Sequence, residues 1–178
     1  MSHFAVTAVG ADRPGIVAAV TGAFAEHGCN LEDSSMTILR GQFAMMLVVD
    51  APGGVGAGEL EAALAGPAAD LDLVVTVRQT AEPPEFEPDI ESWTVSVYGA
   101  DHPGIVHGVA ALLAERSVNI VDLSTRVVGT QESPVYTMFL EVTLPPDGDP
   151  HQLQAALEAK AGELGVTCRL HPSEADIL

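Results

Sequence analysis

An eight-residue phrase that occurs twice constrains this chain more than any other feature of it. The first copy reads Gly10-Ala11-Asp12-Arg13-Pro14-Gly15-Ile16-Val17, and the second, at an offset of 89 residues, reads Gly99-Ala100-Asp101-His102-Pro103-Gly104-Ile105-Val106. Of the thirty-two positions from 6 to 37, fourteen are identical to their counterparts at that offset. Two copies of so long a unit predict a duplicated domain, because solenoid repeats are shorter and need more copies.

The hydrophobic pattern has the same order in both halves. In the first half it predicts a strand at 4–8, a helix from Pro14 to a stop at Gly28, and strands at 29–39 and 43–49 joined by a turn. A short helix that stops before Pro67 and a strand through Leu71, Leu73, Val75 and Val77 complete it. The second half repeats this order, with strands at 93–97, 118–128, 135–144 and 166–170 and helix faces at 105–113 and 153–164.

This order, βαββαβ, predicts an α+β fold of two ferredoxin-like domains. Each domain would have a four-stranded antiparallel sheet with two helices on one face. We expect domain 1 at residues 1–80, a linker at 81–91 whose prolines and carboxylates favour an extended spacer, domain 2 at 92–172, and a tail at 173–178.

The strand at 43–49 is apolar on both of its faces. A sheet with helices on one side needs only one apolar face, so a second domain or another subunit is expected to cover the other one. The alternative is a thin core that packs its small residues loosely.

Composition excludes several classes of function. The chain carries 25 Asp and Glu against seven Lys and Arg, a formal net charge of −18, and both halves are acidic. Because nucleic-acid affinity needs clustered Lys and Arg, we expect no direct binding of nucleic acid. No apolar run is long enough to span a bilayer, and no secretory signal is visible, so we expect a cytoplasmic protein without a membrane partner. Cys29 and Cys168 lie outside any metal or CxxC pattern and are expected to be free thiols.

The repeated turn has a physical use at the start of a helix. The first N–H groups of a helix lack internal partners and attract a carboxylate or another anion. Gly15 and Gly104 carry no side chain, so a ligand can approach the backbone closely. Asp12 and Asp101 could accept hydrogen bonds from the ammonium group of such a ligand, or they could only cap the helix.

Asn30 and Asn119 follow the first helix of each half at equivalent positions. An amide there could bind the carboxylate or amine of an amino acid, or it could be a turn residue that bonds its own backbone. The Lys-Ser/Thr pair of a phosphate loop is missing after both turns, which excludes that kind of nucleotide site. His102 and His107 form a weak metal pattern in one half only, and no catalytic constellation recurs, so we expect no enzyme, metal or cofactor.

These residues are similar to the ACT domain. The resemblance rests on Gly-Ala-Asp-Arg-Pro-Gly-Ile-Val followed by Gly-Cys-Asn-Leu in the first half, and on Gly-Ala-Asp-His-Pro-Gly-Ile-Val followed by Val-Asn-Ile in the second. It implies a regulatory module that binds amino acids in a groove between the first β–α loop of one domain and the strand after the first helix of a neighbour. The implied ligand-binding residues are Asp12, Pro14, Gly15, Ile16, Val17 and Asn30 in the first half, and Asp101, Pro103, Gly104, Ile105, Val106 and Asn119 in the second.

The layout of two domains without an enzyme most resembles the glycine cleavage system transcriptional repressor group. The resemblance implies a homodimeric sensor of a small amino acid, such as glycine or serine, that regulates transcription through a protein partner. Two alternatives stay open: a ligand-independent protein-interaction module, and a detached regulatory subunit of an enzyme of amino-acid or one-carbon metabolism. Arg13 and His102 occupy the same place in the two loops, so the two sites could differ in ligand, or only one could bind.

Overall fold

The computed structural model describes residues 2–81, 91–130 and 133–173. The chain divides into two compact units, Met1–Phe86 (unit 1) and Glu87–Leu178 (unit 2). Apart from its two end residues, the predicted linker at 81–91 lies outside the described residues, and so does the predicted tail after Ser173.

Unit 1 folds in the order βαββαβ that the hydrophobic pattern predicts. Its four strands form one antiparallel sheet in the order β2-β3-β1-β4. The elements are β1 (Ser2–Ala11), α1 (Ile16–Glu26), β2 (Asn30–Leu39), β3 (Gln42–Ala51), α2 (Ala57–Leu71) and β4 (Leu73–Thr80).

Unit 2 repeats this architecture with a sheet of order β6-β7-β5-β8, also antiparallel throughout. The elements are β5 (Ser92–Gly99), α3 (Ile105–Glu115), β6 (Asn119–Thr130), β7 (Ser133–Thr143), α4 (Pro150–Leu164) and β8 (Val166–Pro172). The predicted fold class, α+β with duplicated ferredoxin-like units, is therefore confirmed.

Each core lies between the sheet and its two helices. In unit 1, strand β1 faces the helices with Phe4, Val6 and Ala8, and helix α1 packs Val20 and Phe24 into the same core. All five side chains are buried. Each large apolar side chain buried in this way stabilises the unit by about 1.5–3 kcal/mol. In unit 2 the predicted faces of α3 and α4 are likewise buried, through residues such as Val109, Leu113, Leu153 and Leu157.

Helix α2 corrects one prediction made from the sequence. The helix was expected to stop before Pro67, but it continues through Pro67 to Leu71, and β4 begins only at Leu73. A proline inside a helix costs one backbone hydrogen bond. Ala68 and Leu71, which follow the proline, pack against the core of unit 1, and burial of these side chains favours continuation of the helix. Asp72, with a φ of 53°, then reverses the chain into β4.

Strand β2 lies at the edge of the sheet, where the helix layer does not cover it. All ten of its residues are exposed, among them the apolar side chains of Leu31, Met36, Ile38 and Leu39. On the face of the sheet opposite the helices, Met46 of β3 is also half exposed. The prediction that a further surface covers the second apolar face of β3 stays a prediction.

The first glycine of the repeated phrase is required for packing, and this gives a test of the fold. A Cβ at Gly10 would lie 2.7 Å from the backbone oxygen of Asp72, whereas one at Gly22 of α1 would meet nothing within 4 Å. We expect Gly10→Ala to destabilise unit 1 by about 1–3 kcal/mol, because the β1–β4 junction must move. Gly22→Ala, the matched control, should stabilise α1 by up to about 1 kcal/mol. Urea unfolding of both variants measures this, and equal effects would contradict the packing argument.

Candidate functional site

The first repeated turn connects β1 to α1 in unit 1. The backbone N–H of Asp12 donates to the carbonyl oxygen of Gly41 at 2.9 Å, which ties the turn to the β2–β3 hairpin. Gly15 has φ 96° and ψ −12°, a left-handed conformation that L residues rarely adopt. Ile16 is buried in the core, whereas Asp12 and Val17 are exposed. The turn is thus anchored by the hydrogen bond to Gly41 and by the buried Ile16, while the side chains of Asp12 and Val17 are exposed to solvent.

The second turn has the same geometry in unit 2. Gly104 has φ 100° and ψ −10°, within a few degrees of its counterpart in unit 1. Ile105 is buried, and Asp101 and Val106 are exposed. No other heavy atom lies within 4 Å of a Cβ built at Gly15 or Gly104. Glycine is therefore needed at these positions for its positive φ and not to avoid a steric clash.

The helices that follow these turns start without a side-chain cap. Among the described residues, no side chain bonds to the first N–H groups of α1 or α3, so neither Asp12 nor Asp101 acts as an N-cap. Pro14 was expected at the helix start, but α1 begins at Ile16, because Gly15 in its left-handed conformation stands before the helix. By contrast, Asp149 does cap α4, accepting a hydrogen bond from the His151 N–H at 2.8 Å. The initial N–H groups of α1 and α3 are therefore available to a ligand.

Asn30 and Asn119 open the edge strands β2 and β6, and both are exposed. Asn30 lies opposite Asp50 at the end of β3, and Asn119 lies opposite Thr143 at the end of β7. Neither side chain bonds to its own backbone within the described residues, so the turn-residue alternative has no hydrogen bond to support it. The structure leaves both amides free to contact another molecule.

Within one unit, the asparagine and the helix-opening turn lie at opposite ends of the sheet. Asp50, the partner of Asn30, pairs with His3 near the start of β1, whereas the turn follows the end of β1, where Ala11 pairs with Gln42. With a rise of about 3.3 Å per residue, these ends are roughly 25–30 Å apart. A small amino acid cannot touch both groups in one unit, so a site that uses both needs a neighbouring domain.

A polar cluster that the sequence did not reveal lies beside Asn30. The Nδ1 atom of His3 is 3.5 Å from Glu32 Oε2 and 4.0 Å from Asp50 Oδ1. Glu32 lies at the irregularity where β2 shifts its register against β3. These three residues meet only through strand pairing, so no local motif could have indicated them. At the equivalent positions unit 2 has Ser92, Val121 and Thr143, so the surroundings of the two asparagines differ in charge.

The two turns also differ at the residue before proline. In unit 2, His102 Nε2 lies 2.7 Å from the carbonyl oxygen of Leu164, and Nδ1 lies 3.1 Å from that of Pro103. The hydrogen bonds to Pro103 and Leu164, together with the nearby Asp101 carboxylate, raise the pKa of His102 above its ordinary value, although partial burial opposes them. In unit 1 the counterpart, Arg13, is exposed and makes no hydrogen bond to a described residue.

The two cysteine thiols are weak nucleophiles at neutral pH. Both cysteines are free, as predicted. Burial raises the pKa of Cys168 to about 11, and burial together with Asp50 and Glu59 raises the pKa of Cys29. Both side chains are therefore protonated thiols, and the thiolate is the reactive form. In the part of the chain that the structure describes, no three His, Cys, Asp or Glu side chains are grouped to hold a metal ion.

Two clefts in unit 2 lie away from the turns. One, of about 230 Å³, is lined by residues that include Arg116, Asp147 and Asp149, and the other, of about 550 Å³, lies between α4 and β8. Neither is lined by a residue of the repeated phrase or by Asn119. Across the described ranges, no helix is long and apolar enough to cross a membrane.

The fold and the paired turns define the class of protein. The family profile of the ACT domain matches residues 2–78 and 93–171, and the chain belongs to the ACT domain family, with two tandem copies. It is 30% identical over 165 residues to the glycine cleavage system transcriptional repressor of Escherichia coli (strain K12), covering 91% of this chain and 85% of that protein. The chain is thus a regulatory ACT-domain protein related to that repressor.

Two further proteins are similar to this chain in sequence or in fold. A UPF0237 protein of Methanopyrus kandleri is 45% identical over 78 residues, which is 42% of this chain and 87% of that protein. A crystal structure of an unknown protein from Galdieria sulphuraria superposes with a TM-score of 0.80 at 28% identity, covering 97% of this chain and 99% of that one. The fold of this chain therefore recurs in a solved structure of nearly the same extent.

The difference between a capping and a free aspartate is testable. Asp149→Ala should lower the Tm of unit 2 by a few degrees, because it removes a helix cap. Asp101→Ala, the matched control in the same unit, should leave the Tm within about 2 °C. The hydrogen bond from the His151 N–H lowers the pKa of Asp149 below its ordinary value of 3.8. The Asp149 cap therefore stabilises unit 2 fully at a pH above 3.8, and this stabilisation is lost as the pH falls through the lowered pKa. Thermal unfolding at pH 7 and pH 3 measures both effects, and a large loss in Asp101→Ala would mean that Asp101 is structural.

Proposed function

We propose that this protein is a cytoplasmic amino-acid sensor that binds a small amino acid, glycine or serine, at the helix-opening turns and regulates transcription through a protein partner. The observation that carries the proposal is the repetition of one unusual backbone geometry. Two turns with nearly the same φ and ψ, each followed by an uncapped helix and flanked by an exposed aspartate, occur in two compact units.

This geometry matches the chemistry of an α-amino acid. The first N–H groups of α1 and α3 would donate hydrogen bonds to the carboxylate of the ligand, because a helix N-terminus is a site of partial positive charge. The Asp12 and Asp101 carboxylates would accept hydrogen bonds from its ammonium group. The exposed valines that follow, Val17 and Val106, would form an apolar wall of the site. A ligand with a small side chain would fit there, because the turn is short.

The second half of each site is proposed to come from another copy of the chain. Asn30 and Asn119 lie at the far end of the sheet from the turn in their own unit, so an amide that reaches the ligand must belong to a neighbour. The exposed edge strand β2 supports pairing between copies, because an uncovered edge with apolar side chains is a template for another strand. A homodimer built on such edges would place turns and asparagines of different copies together.

Regulation through a protein partner is supported by charge. A net charge of −18 opposes binding to nucleic-acid phosphates, so a regulator of transcription with this surface would act on another protein. Ligand binding can change that interaction only if the ligand favours one of two arrangements of the dimer. The ligand-independent interaction module is the competing function, and the exposed edge strands alone would suffice for it.

Thermal unfolding against the twenty amino acids at millimolar concentration separates these two functions. A ligand that binds only the native state stabilises it by about 2.7 kcal/mol at one hundred times its Kd, so glycine or serine should raise the Tm by several degrees. The shift should fall by about half in Asp12→Ala or Asp101→Ala and disappear in the double variant. The matched control is Asp70→Ala, an exposed aspartate on α2, which should retain the full shift. No shift with any amino acid would favour the interaction module.

A further inference from the structure

The side chain of His102 ties the candidate ligand turn of unit 2 to the end of helix α4. Its Nε2 atom lies 2.7 Å from the carbonyl oxygen of Leu164, the last residue of α4, which is 62 residues away in sequence. The same junction is tight on its other side, because a Cβ at Gly108 of α3 would lie only 3.0 Å from the Leu164 side chain. The turn and the two helices of unit 2 therefore meet at Leu164.

The second ring nitrogen acts on the turn itself. Nδ1 faces the carbonyl oxygen of Pro103 at 3.1 Å, so both ring nitrogens face acceptors. Neutral imidazole has one N–H and one lone pair, and only the imidazolium can donate to both carbonyls. When the ring is neutral and still bonds Leu164, the Nδ1 lone pair faces the Pro103 oxygen, and the two repel each other.

The carbonyl of Pro103 shares its peptide plane with the N–H of Gly104. Because that peptide is planar and trans, the two groups point in opposite directions, and fixing one fixes the other. Gly104, at φ 100° and ψ −10°, has the angles of the third residue of a type II turn. A type II turn differs from a type I turn chiefly by a flip of this central peptide. The proton on His102 thus selects the direction of a backbone donor in the turn.

We propose that His102 is a positioning residue that orders the ligand turn of unit 2 when its ring is protonated. The turn of unit 2 then binds its amino acid more tightly as the pH falls, whereas the turn of unit 1 lacks this pH dependence. The inference rests on the proposed function and gives it a difference between the two sites. Arg13 replaces His102 in unit 1 and makes no hydrogen bond to a described residue, so the first turn lacks this tie. The permanent charge of arginine also gives that turn no proton to lose near neutral pH.

The direction of the effect follows from the hydrogen bonds. The two carbonyls favour protonated His102 in the folded state, which raises its pKa above 6.5. The ordering of the turn is therefore complete below 6.5 and is lost as the pH rises through the raised value. The turn and the two helices that meet there carry these other charged or titratable groups: Asp101 in the turn, His107 and Glu115 on α3, and His151, Glu158, Lys160 and Glu163 on α4. On β7, burial and the Asp101 carboxylate raise the pKa of Tyr136. Lys160 and Glu163 pair with each other at 2.6 Å.

The first arm of the test needs no ligand. In NMR spectra of the full chain from pH 5.5 to 8, the amide of Gly104 should shift with the same midpoint as the His102 ring, above 6.5. The amide of Gly15 should not follow this titration. His102→Gln should abolish the pH dependence at Gly104, and His107→Gln, an exposed histidine of the same unit, should preserve it. A Gly104 amide that ignores the His102 titration would overturn the proposal.

The second arm uses glycine as the probe and calorimetry in the Asp12→Ala background, which leaves the unit 2 turn as the measured site. Glycine should bind about fivefold more tightly at pH 6 than at pH 8, and His102→Gln should remove this ratio. Equal affinity at both pH values, with intact binding, would overturn the role of His102. If no amino acid binds to wild type at either pH, the proposed function fails, and the ligand-free titration still decides whether His102 orders the turn.

Discussion

The left-handed glycine before each first helix is the constraint on which the candidate site depends. A φ near +100° at Gly15 and Gly104 turns the chain from the first strand directly into a helix, without a capping side chain. Residues with a Cβ rarely adopt this angle, so glycine is required for the backbone and not to relieve crowding. Because the turn itself supplies no acceptor, the helix N–H groups stay free for a ligand. The same angle therefore directs the chain into the helix and leaves the helix start without a side-chain cap.

The first glycine of the phrase has a different physical role. Gly10 and Gly99 leave no room for a Cβ, because the start of the fourth strand of each unit approaches within 2.7 Å of that position. This close approach fixes the end of the central strand, and with it the place from which the turn projects. The buried isoleucine at the helix start, Ile16 or Ile105, anchors the other side. Each copy of the repeated phrase thus combines two packing residues with an exposed turn.

Much of the fold could be predicted from the sequence, because the determinants are local. Alternation at Phe4, Val6 and Ala8 and helical spacing at Leu153 and Leu157 indicate buried faces directly. The end of α2 could not be predicted in this way. A proline is a local signal to stop, but the contacts of Ala68 and Leu71 with the core depend on tertiary packing.

The surroundings of the candidate site could not be predicted from the sequence, because they too depend on tertiary structure. The turns and the asparagines are local signals, and the duplication made them visible. Which groups surround them depends on strand register and on distant chain segments. His3 reaches Glu32 only across the sheet, and His102 reaches Leu164 only because α4 ends beside the turn. That Asn30 and Asp12 lie at opposite ends of one sheet likewise follows from pairing and not from sequence distance.

The proposed site joins the turn of one copy to the asparagine of another, and mixing two defective chains tests this arrangement most directly. One chain carries Asp12→Ala and Asp101→Ala, the other carries Asn30→Ala and Asn119→Ala, and the two are refolded together before glycine binding is measured by calorimetry. Neither chain alone should bind glycine, and the mixture should recover part of the binding, because the intact turn of one copy meets the intact asparagine of the other. Mixed dimers that form but bind no glycine, while wild type does, would contradict a site shared between copies.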